Sequence, residues 1–311
     1  MSLLQQRIII VGSAASVLAF SVWAAWTRHR AASTATIFPT GEVLEAQRKR
    51  FGRELRYCNA LRDRDREACL ENRALETREA FLCAEIGDVG ARDRCVYALV
   101  FAVGVSPPCQ AIEDPHARVD CLAMAGGAFG DKNACKLLAQ GRKKALADCK
   151  DDGARCKSFA AQHDALIRAC PAIVDGDVAR CALDESRTTC VTAIATRRRD
   201  ASMCAVLGSG AEPCQRTVAT IARDAKLCGP KDAPLSDDCR ALLARRVGSL
   251  ECNVSELECR GRKAVAGGGV AALCEGDARC ALFVAYRLRR ADVCSLVFQD
   301  DAHAACADLA R

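Results

Sequence analysis

Cys83-Ala84-Glu85-Ile86-Gly87-Asp88 runs on through Arg92-Asp93-Arg94 to Cys95, and the same phrase returns along the chain. Cys109-Gln110-Ala111-Ile112-Glu113-Asp114 leads to Arg118-Val119-Asp120-Cys121, and Cys170-Pro171-Ala172-Ile173-Val174-Asp175 leads to Ala179-Arg180-Cys181. The shared form is Cys-x-x-Ile-x-Asp, a few polar or glycine residues, then Cys. An apolar residue three after a cysteine puts both on one helical face. The polar stretch reads as a turn, and the second cysteine opens the next helix.

From Cys58 onward the gaps between successive cysteines are 11, 14, 12, 14, 12, 14, 14, 7, 14, 11, 9, 14, 10, 14, 11, 13, 7, 15, 6, 14 and 12. Short gaps mostly alternate with long ones, so the chain carries an internal repeat of about 20 to 26 residues, the mark of stacked supersecondary units. Asp or Ser stands three or four residues before many leading cysteines: Ser106, Asp131, Asp200, Asp224 and Ser249. These are N-cap residues, whose side-chain oxygens accept orphan backbone N–H groups. Gly126, Gly127, Gly130, Gly248 and Gly267-Gly268-Gly269 punctuate the same gaps as turn residues. The expected fold is all-α: a solenoid-like stack of about ten short helical hairpins, each closed by a disulfide. Isolated helices of two to three turns are marginal in water, so staples and neighbours must hold them.

All 22 cysteines lie between Cys58 and the C-terminus. That density and even count indicate a disulfide framework, and disulfides persist in oxidising compartments. Eight pairs follow from the short gaps: Cys58–Cys69, Cys83–Cys95, Cys109–Cys121, Cys204–Cys214, Cys228–Cys239, Cys252–Cys259, Cys274–Cys280 and Cys294–Cys306. The motif adds Cys170–Cys181. The middle leaves two alternatives: Cys149–Cys156 with Cys135 over, or Cys135–Cys149 with Cys156 over. Cys190 is left over in both. Leftover cysteines can bridge repeats, link two molecules or stay free. Only eleven aromatic residues fall outside the N-terminal apolar segment. Cross-links that restrict the unfolded chain offset so aliphatic a core.

Three regions follow: residues 1–30 as a membrane anchor, 31–57 as linker and lead helix, and 58–311 as the cysteine-rich domain. Ile8 to Trp26 is a run of 19 residues without a charge. At about 1.5 Å per residue it reaches the hydrocarbon thickness of a bilayer, with Trp23 and Trp26 at one end as an aromatic belt would be. The reading is a single uncleaved membrane-spanning helix, a signal-anchor. The rival is a cleaved signal peptide, with Val22 and Ala24 as small residues at the cut. The positive-inside rule, weighing Arg7 against Arg28, Arg30 and Arg48-Lys49-Arg50, would put the cysteines in the cytoplasm. Cysteine usage points the other way and carries more weight. The expected location is a single-pass membrane protein with its cysteine-rich part in the periplasm or at the cell surface. Residues 42–57 read as an amphipathic lead helix.

In architecture, serial disulfide-bridged helical pairs resemble the cysteine-rich Sel1-like repeat proteins of bacteria, from Cys58 to the C-terminus, although the longer Sel1-like period and its Gly/Ala signature are not visible. The Cys-x-x-Ile-x-Asp hairpins look closer to a class of bacterial and archaeal envelope proteins. Either resemblance implies an extracytoplasmic helical repeat without a defined activity. Cys204 and Cys214 alone share the spacing of the twin Cys-x9-Cys hairpins of the mitochondrial intermembrane space, a second compartment compatible with a basic-flanked anchor.

No Cys-x-x-Cys occurs, which removes thioredoxin-type redox motifs, zinc knuckles and covalent haem attachment. His29, His116, His163 and His303 lack metal-ligand spacing and read as surface residues. Adjacent acids such as Asp151-Asp152, Asp237-Asp238 and Asp300-Asp301 sit in turn-like segments and read as solvated. The net charge of +6 falls to about +3 beyond residue 30 (42 basic minus 39 acidic), which offers no strongly basic face for nucleic acid. Arg197-Arg198-Arg199 reads as a solvated helix end. No catalytic residue, cofactor, metal site or small-molecule substrate is evident. The expected function is a non-catalytic, membrane-anchored, extracytoplasmic scaffold or protein-binding repeat. The alternatives are a thiol-active metal store or redox protein using Cys135, Cys156 or Cys190, and a structural accessory subunit of a membrane complex.

Overall fold

The computed structural model describes residues 38–148, 153–182, 185–228, 239–240, 243, 257–267 and 269–311. The chain divides into two compact units, Met1–Pro39 and Thr40–Arg311, and the second is the subject below. The membrane-helix reading of Ile8 to Trp26, the cap Ser249, the cysteines Cys149 and Cys252, and the acidic pairs at 151–152 and 237–238 lie outside the described residues. Among the described residues no helix is long and apolar enough to cross a membrane.

The unit is all-helical, with no strand among the described residues. Its helices are α1 (Gly41–Arg50), α2 (Gly52–Asn59), α3 (Asp63–Thr77), α4 (Ala80–Ala84), α5 (Val89–Val103), α6 (Pro115–Phe129), α7 (Lys132–Asp148), α8 (Gly153–Asp175), α9 (Arg187–Arg198) and α10 (Ala211–Ala222). After a partly described stretch come α11 (Cys259–Val265), α12 (Val270–Cys274), α13 (Ala278–Leu288) and α14 (Asp300–Ala310). Short 3-10 turns at Pro107–Ala111, Ala201–Gly210, Ala225–Cys228 and Asp292–Leu296 stand between them. The expected lead helix is two helices broken at Phe51. The first buries nothing, and the second buries Tyr57 and Cys58.

Each repeat is more lopsided than a pair of equal helices. In the fully described repeats one arm is a 3-10 turn or short helix carrying the first cysteine, and the other is a helix of about three to four turns carrying the second. Ile86 and Ile112 follow the end of the short arm and so do not share a helical face with the cysteine. They plug the space beneath the turn, at 1% and 0% exposure. Asp88 then accepts from Ala91 N–H and Asp114 from His116 and Ala117 N–H, so the motif's aspartate is the N-cap of the long arm. Asp200, Asp224 and Asp131 cap in the same way, accepting from the N–H of Ser202, Lys226 and Asn133.

The cap also explains why the short gaps vary. Cys69, Cys95, Cys121 and Cys306 stand seven residues after the N-caps Arg62, Asp88, Asp114 and Gln299, and their pairs span 11 or 12 residues. Cys190, Cys214 and Cys280 stand three or four after Ser186, Gly210 and Asp277, and their pairs span 9, 10 and 6. The two offsets differ by one helical turn, which leaves the cysteine on the same face of the long arm. Long arms end on a left-handed residue, Gly104 and Gly130 in two repeats but Arg78, Arg199, Arg223 and Arg289 in four others. This recurring arginine is a repeat marker that the cysteine pattern hides.

The middle of the chain departs from the expected pairing. Cys170 bonds Cys135, 35 residues away, and Cys181 bonds Cys190. Cys170–Cys181 is therefore a misreading of the motif, and neither Cys135 nor Cys190 is left over. The reason is helix length. Cys170-Pro171-Ala172-Ile173 matches the motif in letters, but here helix α8 continues to Asp175 and turns only at Gly176, φ 77°. Cys170 thus stays on a long helix facing α7. Contacts Cys135 to Cys170, Leu138 to His163 and Arg142 to Asp164 run in opposite senses along the two helices, so α7 and α8 form an antiparallel pair inserted into the series.

Packing is not confined to neighbouring units, as a simple stack would require. Helix α9 lies across α6, and the Thr189 hydroxyl donates to half-buried Asp120, which also accepts from Tyr97 on α5. Gly126 and Gly127, expected in a turn, are buried inside α6. They let helices approach: a Cβ at Gly127 would stand 2.4 Å from the Ala193 methyl and 2.7 Å from Ile173. Gly127→Ala should therefore destabilise the oxidised protein by about 1–3 kcal/mol through overpacking. Gly141→Ala on α7, where nothing lies within 4 Å, should be neutral or stabilising by up to about 1 kcal/mol. Urea unfolding of the two variants beside the parent checks the contrast.

Candidate functional site

The first repeat meets the last ones. Tyr57 on α2 and Arg73 on α3 reach Glu258, 201 and 185 residues further on: the Tyr57 hydroxyl donates to Oε1 at 3.0 Å and Arg73 Nη2 to Oε2 at 2.8 Å. All three side chains are buried, at 0%, 3% and 4% exposure. Arg73 Nη1 lies 2.5 Å from Glu76 Oε2. Its guanidinium carbon stands 5.6 Å from the Tyr286 ring centre and 6.0 Å from those of Tyr57 and Phe283. Tyr57 and Tyr286 stack at 4.7 Å and 7°. Gly261 on α11 allows this packing, since a Cβ there would stand 2.5 Å from the Phe283 ring. Exposed pairs Arg56–Asp308 and Arg62–Asp301 tie the first repeat to α14, and Arg279–Asp65 ties α13 to α3, at 3.5–3.7 Å; they contribute little in water.

Electrostatically the cluster is a clasp. Burial opposes the Arg73 charge, but Glu258 and Glu76 outweigh it and hold the guanidinium protonated. Burial pushes the Glu258 carboxyl up, against the pull of Arg73 and the Tyr57 hydroxyl. Burial, with Glu258 next, pushes the Tyr57 phenol well up. Glu258 itself sits at φ 70°, a left-handed conformation a non-glycine residue adopts at a cost, next to disulfide-bonded Cys259. These groups are spent on holding distant parts of the chain together rather than presented to a reactant. Nothing in local sequence marks them. Glu258 looks like one acid among 39, and only its buried arginine partner shows its role.

Beside the clasp runs a groove of about 870 Å³, floored by Leu282, Val297 and Ala305. Arg62, Arg260 and Arg279 line it together with Asp65, Asp277 and Asp301, as does Phe298, which is 76% exposed.

The expected thiol and metal chemistry can be placed residue by residue. Cys135 and Cys190 are in disulfides, Cys156 is disulfide-bonded as well, and no described cysteine is free. Among the described residues no group of three or more His, Cys, Asp or Glu side chains could hold a metal ion. His116 and His303 are exposed. His163 is not the surface histidine its sequence suggests: it is 1% exposed on α8, its Nε2 lies 3.0 Å from the Leu138 carbonyl, and its Nδ1 has no partner. The carbonyl can only accept, so Nε2 carries the proton. No protein-family model, curated protein or solved structure matches the chain.

Two outcomes follow from these buried groups. Arg73→Met leaves the Glu258 charge without its partner and should cost about 3–5 kcal/mol. Adding Glu258→Gln removes the stranded charge, so the double variant should recover a large part of that loss in denaturant titrations. Burial holds the His163 imidazole below its ordinary value, against smaller opposing effects of the Leu138 carbonyl and Asp164. The unfolded chain then binds the proton more readily, so this group costs stability as pH falls below about 6.5. His163→Gln should flatten that part of the stability–pH curve measured between pH 7.5 and 5.

Proposed function

We propose that the chain is a non-catalytic, membrane-anchored scaffold whose cysteine-rich unit lies in an oxidising, extracytoplasmic compartment and engages a protein partner. The single observation that carries this reading is that Cys135, Cys156 and Cys190, the three cysteines with a claim to thiol chemistry, are all in disulfides. Thiols tied up in staples neither ligate soft metals nor exchange electrons, so their contribution is to stability. In the chain-entropy account a 12-residue loop is worth about 3 kcal/mol and a 35-residue one about 4 kcal/mol. An aliphatic, aromatic-poor chain needs that much to keep 3-10 arms against their helices. Such a framework fits export, and the uncharged run Ile8 to Trp26 supplies the anchor.

The partner face in this reading is the groove beside the clasp. Its mixed arginine and aspartate rim over an apolar floor suits a polypeptide segment rather than a nucleic acid. Phe298 gives it an aromatic contact of the kind that anchors interfaces.

The test is an intact-mass measurement after alkylation without reductant, on protein taken from its native compartment under acid quench, with metal analysis alongside. No alkylated thiol and no bound copper or zinc are expected, and non-reducing peptide maps should recover the Cys135–Cys170 and Cys181–Cys190 pairs. Several alkylated cysteines or stoichiometric metal would establish the thiol-active alternative instead. For the partner face, a photo-crosslinking residue in place of Phe298 should trap one discrete protein adduct, while the same residue at exposed Val206 should not.

A further inference from the structure

The near-neutral total charge hides a local excess. Six of the ten lysines in the chain fall between Lys132 and Lys157, whereas most cations elsewhere are arginines. Residues 132–157 hold eight basic side chains against three acidic ones, an excess larger than the +3 of the whole chain beyond residue 30. The stretch belongs to the inserted α7–α8 pair rather than to the repeats.

Within α7 the charge is one-sided. From Lys132 to Ala147 the helix has five basic residues and no acid. Lys132, Lys136 and Lys143 fall within about 40° of one another around the helix, on a strip about 17 Å long. They share that side with Ala139, Gln140 and Ala147, and all six are exposed. Ala134 and Leu138, on the opposite side, are buried. Arg142 is held by Asp164 through both nitrogens, and Asp131 at the N-cap accepts from the Ser106 hydroxyl and Asn133 N–H. Among the described residues no acid pairs with the three lysines.

The strip does nothing for its own helix. Lys132 stands in the first turn, where the helix dipole disfavours a cation. Lys132 and Lys136 are like charges four residues apart, which repel. A solvated face built for stability would place acids there, so this charge is aimed at an outside partner. Lysine presents a compact, hydrated point charge rather than the planar fork of arginine, which suits a surface dense in negative charge more than one shaped group. No aromatic residue occurs on α7 to stack on a nucleic-acid base. The exposed alanines between the lysines keep the face low enough for a flat surface.

We propose that the exposed face of α7 lies on an anionic lipid surface, with Lys132, Lys136 and Lys143 against phosphate headgroups. The choice of a lipid occupant rests on the membrane-anchor reading above, whereas the basic strip stands without it.

The oxidised full chain, with a photo-crosslinking residue in place of exposed Ala139, is mixed with phosphatidylcholine vesicles or with vesicles that also contain phosphatidylglycerol. Lipid adducts should be at least about fivefold more abundant on the anionic vesicles, the worth of about one lysine at such a surface, and should fall back at high salt. The same residue at Val206, 49% exposed, should give no such contrast. Joint substitution of Lys132→Gln, Lys136→Gln and Lys143→Gln should abolish the contrast and leave the thermal midpoint no lower than the parent's, while arginine at the same three positions should keep it. Flotation with phosphatidylcholine alone reports the Ile8 to Trp26 anchor, and adducts at position 139 report α7, so each reading can fail without the other. Equal adduct yields on the two kinds of vesicle, or indifference to the glutamine substitutions, would overturn the proposal. Loss of the adducts to soluble duplex DNA at equal phosphate would overturn it too, and would assign the strip to nucleic acid.

Discussion

A disulfide holds its two Cα atoms at a fixed approach, here 5.0–5.8 Å, and that approach is what a 3-10 arm of four or five residues cannot secure for itself. One turn of helix closes too few hydrogen bonds to offset the dihedral freedom it gives up. Bonded to the long arm, the short arm becomes a lid over the isoleucine beneath the turn, and the aspartate that follows can cap the next helix. The cap sets where the helix begins, and the helix's periodicity sets where the second sulfur points. The variation in spacing from 6 to 12 residues then keeps one geometry rather than loosening it.

With local hairpins secured, the remaining problem is long-range. Few aromatic side chains are available, and a notable share of them gather where the first repeat meets the last: Tyr57, Phe283 and Tyr286 around Arg73. A buried ion pair is a weak source of net stability, because desolvation consumes much of the Coulombic gain. What a buried pair such as Arg73–Glu258 offers instead is a penalty on mispairing. An arginine and an acid buried together tolerate no other register, since any slip strands a charge. Elsewhere the same logic is carried by neutral or singly charged contacts. Asp93 accepts from the N–H of Glu113 and Asp114 at 2.9 Å, tying one repeat to the next turn, and Asp120 ties α6 to α5 and α9.

The antiparallel α7–α8 pair interrupts the series and brings the features that the repeats lack. It carries the 35-residue staple, the buried His163 and a pocket of its own between α6, α7 and α8. Insertions into repeat arrays commonly carry the specific contacts of an otherwise generic frame.

Cysteine spacing, aspartate caps and the Cys-x-x-Ile-x-Asp phrase determined the all-helical class, the disulfide framework and most of the pairs, because each is a local relation spanning about one turn and one helix. The motif failed at Cys170 because the letters Cys, Ile and Asp do not encode how far the preceding helix runs, and helix length is settled by what α8 packs against. Gly126 and Gly127 read as turn residues because a glycine at a close helix crossing and a glycine in a turn look alike in one dimension. His163 read as a surface residue for the same reason: burial depends on which helices cover it. The clasp was invisible, since its partners are about two hundred residues apart and one of them sits in no repeat position. Local chemistry thus fixed the hairpins, whereas the meeting of the first and last repeats, the pairing of Cys135 with Cys170 and both concavities came from tertiary packing, which alone brings residues distant in sequence within reach of a hydrogen bond.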